Sequence, residues 1–407
     1  MNGYHGRLLR HLSLGVLVLA LGILSSCNLG GEKFSRGNIS DLNDAILVQE
    51  EPGGRYSLMG LDGEIIVKDM VSSSDGFIGS CDGIFGVKDP SGGYTLYKLG
   101  EKPQRLTDAV YEFVGFAAEG VIPVQQEDGA PLVLSTKDGK PLFEVKKYKG
   151  EPVSMIGNNF YGGINYYAIV NQAPGAYLLY GFINTKGEFL TEPIYESVSQ
   201  TARTDKVYGV LPSADGETQQ VEVLNNEGKG LFSTTIRTTE VQNIVLGKDR
   251  CVIGDKIFNL KGEAVGRLPG ESIVICIGPR DYIIAFDGDA WYLLDKDGQE
   301  INTIRKVQSV FFDTTGKNYI VIKNSGSSED FDLTAYTIKG NKRVYEVTGN
   351  SFTFLKDGKL LLKQGSNYVM YDAKGKEIRG KYFSEIIFTG ALYGFLVGPP
   401  VPIRNTR

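Results

Sequence analysis

The sequence predicts an all-β chain folded as a β-propeller of about eight (seven to nine) four-stranded blades. An open β-solenoid of stacked repeats is the alternative. Three observations carry this. The 407 residues include 52 Gly, 22 Tyr and 20 Phe against a single Trp, a composition of short strands and tight turns. No stretch sustains the i, i+3, i+4 apolar spacing of a helix over ten residues. One phrase recurs nine times at a mean interval of 39 residues, the size of a propeller blade.

The phrase is an apolar or aromatic pair, two or three variable residues, and a Gly preceded mostly by Asp, Lys or Glu. Its copies are YSLMGLDG, YTLYKLG, LVLSTKDG, YGFINTKG, VEVLNNEG, KIFNLKG, WYLLDKDG, LTAYTIKG and YVMYDAKG, ending at Gly63, Gly100, Gly139, Gly187, Gly228, Gly262, Gly298, Gly340 and Gly375. Seven copies place apolar side chains seven and five residues before the Gly, as in Tyr180/Phe182 and Trp291/Leu293. A spacing of two sets them on one face of a strand. Glycine suits the turn because a hairpin needs a positive φ that a Cβ disfavours. A second short run follows, such as Glu188-Phe189-Leu190, so each phrase reads as a β-hairpin. Paired apolar runs fill the rest of a period: Phe113 to Ala117 with Gly120 to Val124, and Val310 to Phe312 with Tyr319 to Ile322. Ala45 to Val48 at one end and Phe395 to Val397 at the other are expected to complete one blade and close the ring.

One unit carries more than the phrase. Residues 180–198 (YGFINTKGEFLTEPIYESV) resemble the WG repeat, W-G-(Y/F)-I-D-x-x-G-x-x-(V/I)-I-x-P-x-Y-D-x-V. Tyr180 stands in the Trp position, and Gly181, Phe182, Ile183, Gly187, Pro193, Tyr195 and Val198 match. Other units keep the hairpin and lose the Pro-x-Tyr. The resemblance implies an all-β repeat protein of interaction type and supplies no catalytic residues. YVMYDAKGKEI is also similar to the blade motif of the propeller lipoprotein of outer-membrane barrel assembly, without its tryptophans.

The N-terminus reads as an address. Arg7 and Arg10 precede the apolar run Leu14 to Leu24, and Leu24-Ser25-Ser26-Cys27 follows. That order is a secretory signal, and its 11 apolar residues fall short of the roughly 20 that span a bilayer. Leu-Ser-Ser-Cys resembles the bacterial lipobox, which implies cleavage before Cys27 and acylation of it. The expected organisation is a removed signal (1–26), a Gly-, Asn- and Asp-rich tether (27–44), a β-repeat domain (45–398) and a tail (399–407). Asn28 rather than Asp after the cysteine implies, in that family, transfer to the outer membrane.

Without the signal, 381 residues remain with 41 basic and 48 acidic side chains and no histidine, since His5 and His11 lie in the removed segment. This excludes an imidazole base, a Ser/His/Asp triad and His-ligated metal. The absence of a basic run speaks against nucleic acid. Cys81, Cys251 and Cys276 are read as buried free thiols, with a Cys251–Cys276 bridge as the alternative. Asp287, Asp289, Asp295 and Asp297 invite a calcium loop, but Leu293 occupies its first ligand position, and turn chemistry accounts for them. No cofactor or metal is expected. The longest interval, Gly139 to Gly187, holds a Tyr-, Asn- and Gly-rich stretch in which Tyr161, Asn165, Tyr166 and Tyr167 are the candidate partner-binding rim loop, against the alternative of plain strand residues. Asn324 to Asp330 is a second, connector-like loop. The expected function is noncatalytic: an outer-membrane lipoprotein whose repeats bind a protein or glycan partner of the envelope. A carboxylate- or Tyr-dependent glycan hydrolase or lyase, and a structural scaffold in outer-membrane assembly, are the alternatives.

Overall fold

The computed structural model describes residues 45–388, apart from 61, 72–76, 79–82, 89–91, 99–103, 128, 172–176, 200–204 and 327–329. The expected signal, the whole tether with Cys27, Cys81, Gly100 and everything after Phe388 lie outside the described residues.

The described strands form nine sheets of four, arranged as the nine blades of a β-propeller. Each sheet is antiparallel, and all but two are four consecutive strands with the phrase strand third. Blade 5 runs Ser197–Val198, Lys206–Val210, Thr218–Asn225, Gly230–Arg237. Blade 8 runs Ser309–Phe312, Asn318–Asn324, Phe331–Thr337, Arg343–Gly349, and blade 9 runs Ser351–Phe354, Leu360–Gln364, Asn367–Tyr371, Glu377–Phe383. The last strand is the most exposed and lies at the circumference, so the first lies toward the axis. Antiparallel order puts the first-to-second and third-to-fourth connections at one end of every blade. Where the phrase strand is the third of its sheet, that end bears the described phrase glycines, and it is called the turn face below.

The first exception closes the ring. Blade 1 takes Ala45–Gln49, Tyr56–Gly60 and Ile65–Val71 from the start of the fold and Glu385–Phe388 from its end, with Ile46 opposite Phe388 and Gln49 opposite Glu385. The expectation that distant segments share a blade is met, but the closing strand is Glu385–Phe388. It follows Phe383 after one residue, Ser384, whose N–H and hydroxyl both donate to the Gln49 carbonyl at 2.7 and 2.9 Å. Phe395 to Val397 lie outside the described residues.

The second exception is blade 4. Its phrase strand, Tyr177–Asn184, is the last of its sheet rather than the third, and a small hairpin strand, Lys147–Tyr148, opens the sheet. After the Gly187 turn the chain makes two isolated bridges, Ile183 to Phe189 and Tyr180 to Tyr195, instead of a regular outer strand. This corrects the reading of this copy as a plain hairpin. Pro193 has no N–H to donate, and the Phe182 N–H donates to the Thr191 hydroxyl at 2.9 Å rather than to a backbone carbonyl.

The core is distributed between blades. Each apolar cluster joins neighbouring sheets: Ile320, Leu333, Phe352 and Leu362 between blades 8 and 9, and Val223, Ile236, Cys251 and Phe258 between blades 5 and 6. Both faces of a blade are covered, so its inner strands carry apolar residues on both sides.

Candidate functional site

The turn face is built from one repeated device. In five copies the residue three before the Gly is Asn or Asp: Asn184, Asn225, Asn259, Asp295 and Asp372. Its Oδ1 accepts the N–H groups two and four residues on, at 2.8–3.1 Å, as with Asp372 and the amides of Lys374 and Lys376. The Gly N–H donates to that residue's carbonyl, closing the turn. Asn and Asp favour such turns because the short side chain stands in for a backbone acceptor. The sequence reading fixed on the Gly and missed this second position, although its Asn/Asp content is visible across the copies.

The same Gly touches the preceding blade. At Gly262, with φ +79°, a Cβ would sit 2.7 Å from the Phe232 Cβ, and at Gly375, with φ +75°, 2.4 Å from the Tyr345 Cβ. One residue type therefore satisfies the turn and lets adjacent blades close on each other.

The first-to-second loops of this face also tie blades together. Asp281, buried in blade 7, accepts the N–H groups of Lys248 and Asp249 of blade 6 at 2.7 and 2.8 Å. Burial pushes its carboxyl above the usual range, and the two amides pull it partly back. Arg280 and Asp281 both adopt a positive φ to make this contact. Arg250 donates to Asp297 Oδ1 through Nη2 and Nε at 2.7 and 3.1 Å, again from blade 6 to blade 7. In blades 8 and 9 the Thr314 hydroxyl donates to the Leu355 carbonyl at 2.6 Å and accepts from the Gly358 N–H at 3.0 Å.

The candidate rim residues do not form a rim loop. Asn165, Tyr166 and Tyr167 lie in the strand Ile164–Asn171 and are 1%, 8% and 0% exposed. Asn165 Nδ2 donates to the Gly157 carbonyl, and Tyr167 donates through its hydroxyl to the Thr191 carbonyl at 2.8 Å. Their assignment to partner binding is corrected: they are core of blade 4, packed between blades 3 and 5. Tyr161 opens a short 3-10 turn, Tyr161–Gly163, ahead of that strand.

The acidic cluster is consumed by turns. Asp287 accepts the Asp289 and Ala290 amides and the Tyr292 hydroxyl, which hold its carboxyl down at about 2. Asp289 pairs with Arg305, Asp295 caps its turn, and Asp297 holds Arg250. Among the described residues no group of three His, Cys, Asp or Glu is arranged to hold a metal. Cys251 and Cys276 are free thiols, and burial pushes each up to about 12.

The WG-like unit has a physical explanation at each matching position. A Cβ on Gly181 would meet the Tyr167 ring at 2.7 Å. Phe182 and Tyr195 are buried with ring centroids 5.8 Å apart, and Tyr180, in the Trp position, packs edge-on against Tyr166 at 5.7 Å. The Tyr195 hydroxyl donates to Glu222 in blade 5 at 2.8 Å, and Val198 begins that blade. The unit is thus a joint between blades 4 and 5.

Comparison with known proteins agrees with this geometry. The WG containing repeat family model matches residues 180–200. No curated protein matches the sequence. Among solved structures, the crystal structure of the eukaryotic initiation factor superposes with a TM-score of 0.55 at 11% identity, covering 86% of this chain and 98% of that one. BamB from Moraxella catarrhalis (TM-score 0.33, 12% identity, 74% of this chain and 92% of that one) and the Dos1 propeller (0.33, 12%, 74% and 75%) are more remote. The chain is a β-propeller that carries a WG containing repeat at residues 180–200.

Proposed function

We propose that this propeller is a noncatalytic binding protein of the cell envelope, held at the outer membrane by a lipid on Cys27 and recognising a protein or glycan partner. The observation that carries this reading is how the polar side chains of the turn face are used. Asp281, Asp295, Asp297 and Asp372 are hydrogen-bonded to backbone amides or paired with Arg250, and they hold turns and blades in place. A rigid ring with these four carboxylates so committed offers surface there rather than reactive groups, and repeat proteins use such surfaces for recognition. The Leu-Ser-Ser-Cys27 sequence supports the anchor.

The test is in-cell crosslinking of the tagged full chain, followed by purification and identification of what is attached. A specific envelope protein or glycan, recovered in proportion to crosslinker and absent from a Cys27→Ala strain, is the expected result. Turnover of any envelope polysaccharide by the purified chain, abolished by one Asp or Glu substitution, would overturn the noncatalytic reading.

A further inference from the structure

The turn face is not electrically uniform. The turns of blades 3 to 7 each carry an acid beside their lysines: Asp138, Glu188, Glu227, Glu263 and Asp297. The turn of blade 8, Thr337 to Lys342, carries none; the same span of blade 9, Asp372 to Glu377, carries Asp372, whose carboxylate is taken by its own turn amides, and Glu377, which accepts from the Tyr382 hydroxyl. The exposed lysines at this end of the two blades are Lys317, Lys339, Lys342, Lys374 and Lys376. Among the described residues none of the five has a carboxylate within ion-pair distance, in a chain of net charge −5.

The five are held near one another. The Ile338 N–H donates to the Lys317 carbonyl at 3.0 Å, which sets the Lys317 loop against the Lys339 turn. Gly358 lies between Thr315 of blade 8 and Ala373 of blade 9, its Cβ position 2.9 and 3.2 Å from their side chains. Gly375 abuts Tyr345, so the Lys374–Lys376 turn rests on blade 8. Asp357 and Glu377 are the exposed acids on the same loops without such a cap, and Glu377 accepts from the Tyr382 hydroxyl.

The position of the chain ends gives this platform a direction. Ala45 pairs with Gly60, at the start of the blade 1 turn, and Phe388 pairs with Ile46. The described chain therefore begins and ends on the turn face, in the blade next to the lysines. Lys359 and Lys381 of blade 9 bridge the gap by donating to the carbonyls of Asp62 and Gly63. The segment leading back from Ala45 to Cys27 leaves from this face, and residues 389–407 hold two arginines and no acid.

We propose that the lysine platform of blades 8 and 9 docks the ring, turn face down, on an anionic lipid surface. The inference rests on the lipid-anchored reading above for its biological setting, and on charge complementarity for its energy. Each lysine near an anionic surface contributes about 1 kcal/mol, or roughly fivefold in affinity, and the attraction is lost within a Debye length and with salt. The anchor and the platform together would supply the two signals that stable attachment needs.

The experiment is sedimentation of the full chain with vesicles of phosphatidylcholine alone and vesicles also containing phosphatidylglycerol, at low and high salt. The wild-type chain should prefer the anionic vesicles, and the preference should vanish at high salt. Lys339→Gln/Lys342→Gln/Lys374→Gln/Lys376→Gln should lose tenfold or more on anionic vesicles and nothing on neutral ones. Lys137→Gln/Lys186→Gln, on the same face of blades 3 and 4, should retain the preference, and an unchanged melting temperature shows that both variants fold. Equal binding by wild type and the four-lysine variant would overturn the proposal. So would a soluble sulfated polysaccharide that binds the platform while the two vesicles are not distinguished. The mass of the Cys27 peptide reads the anchor separately: an unmodified Cys27 removes the anchor reading and leaves the anionic preference measurable.

Discussion

Gly262 and Gly375 show how much one position can be asked to do. Each turns the chain with a positive φ and leaves room for an aromatic residue of the blade before it. Left-handed backbone costs a residue with a Cβ about 1–2 kcal/mol, and overpacking adds about 1–3 kcal/mol. Gly375→Ala is therefore expected to destabilise the fold by about 2–5 kcal/mol, against less than about 0.5 kcal/mol for Lys374→Ala at the neighbouring exposed position; urea unfolding of both variants measures the difference. The thiols make a second case at this scale. With both pushed up to about 12, Cys251 and Cys276 stay protonated at pH 8, and the thiolate is the nucleophile. Peptide mapping after alkylation at pH 8 should find both unlabelled in the native chain and labelled once it is denatured.

At the scale of the element, blade 4 separates what the sequence states from what packing decides. The WG-like unit matched its consensus well, yet its return segment makes two isolated bridges instead of a regular strand. Pro193 and Thr191 replace two ladder hydrogen bonds by a missing donor and a side-chain acceptor. Thr191→Val keeps the shape and leaves the Phe182 N–H without its partner, a loss of about 1–3 kcal/mol. Thr191→Ser should restore most of it, and the pair can be compared by thermal unfolding. The misplacement of Asn165, Tyr166 and Tyr167 has its origin at this scale too. A strand covered on one side alternates apolar and polar residues, which tells the two faces apart. A strand between two blades is covered on both, so its tyrosines read the same whether they pack inward or line a loop.

For the whole molecule, the decisive contact is closure. Ile386 packs with Ile46, Val48, Met59 and Leu361 in the cluster that joins the last blade to the first. Ile386→Asp places an unpaired charge in that cluster. A ring opened at one joint becomes an array whose end blades fray first. Hydrogen exchange should show protection lost over Ala45–Gln49 and Asn367–Tyr371 while the strands of blades 5 and 6 keep theirs. Uniform loss around the ring would show that closure carries no special share of the stability.

The period near 39, the recurring turn phrase and the scarcity of helix signals were legible in the sequence because turn chemistry is local: a Gly with an Asn or Asp three residues before it needs only its neighbours. The same locality made the WG-like unit readable at 180–198. Ring closure was legible as an idea and not as a place, since Glu385–Phe388 and Phe395 to Val397 are both short apolar runs and only pairing with Ile46 to Gln49 selects between them. Which tyrosines are buried, which acids are spent on turns, and which lysines gather unpaired on blades 8 and 9 were decided by tertiary structure alone. Those facts depend on what an adjacent blade, some 39 residues away in sequence, brings within a few ångströms.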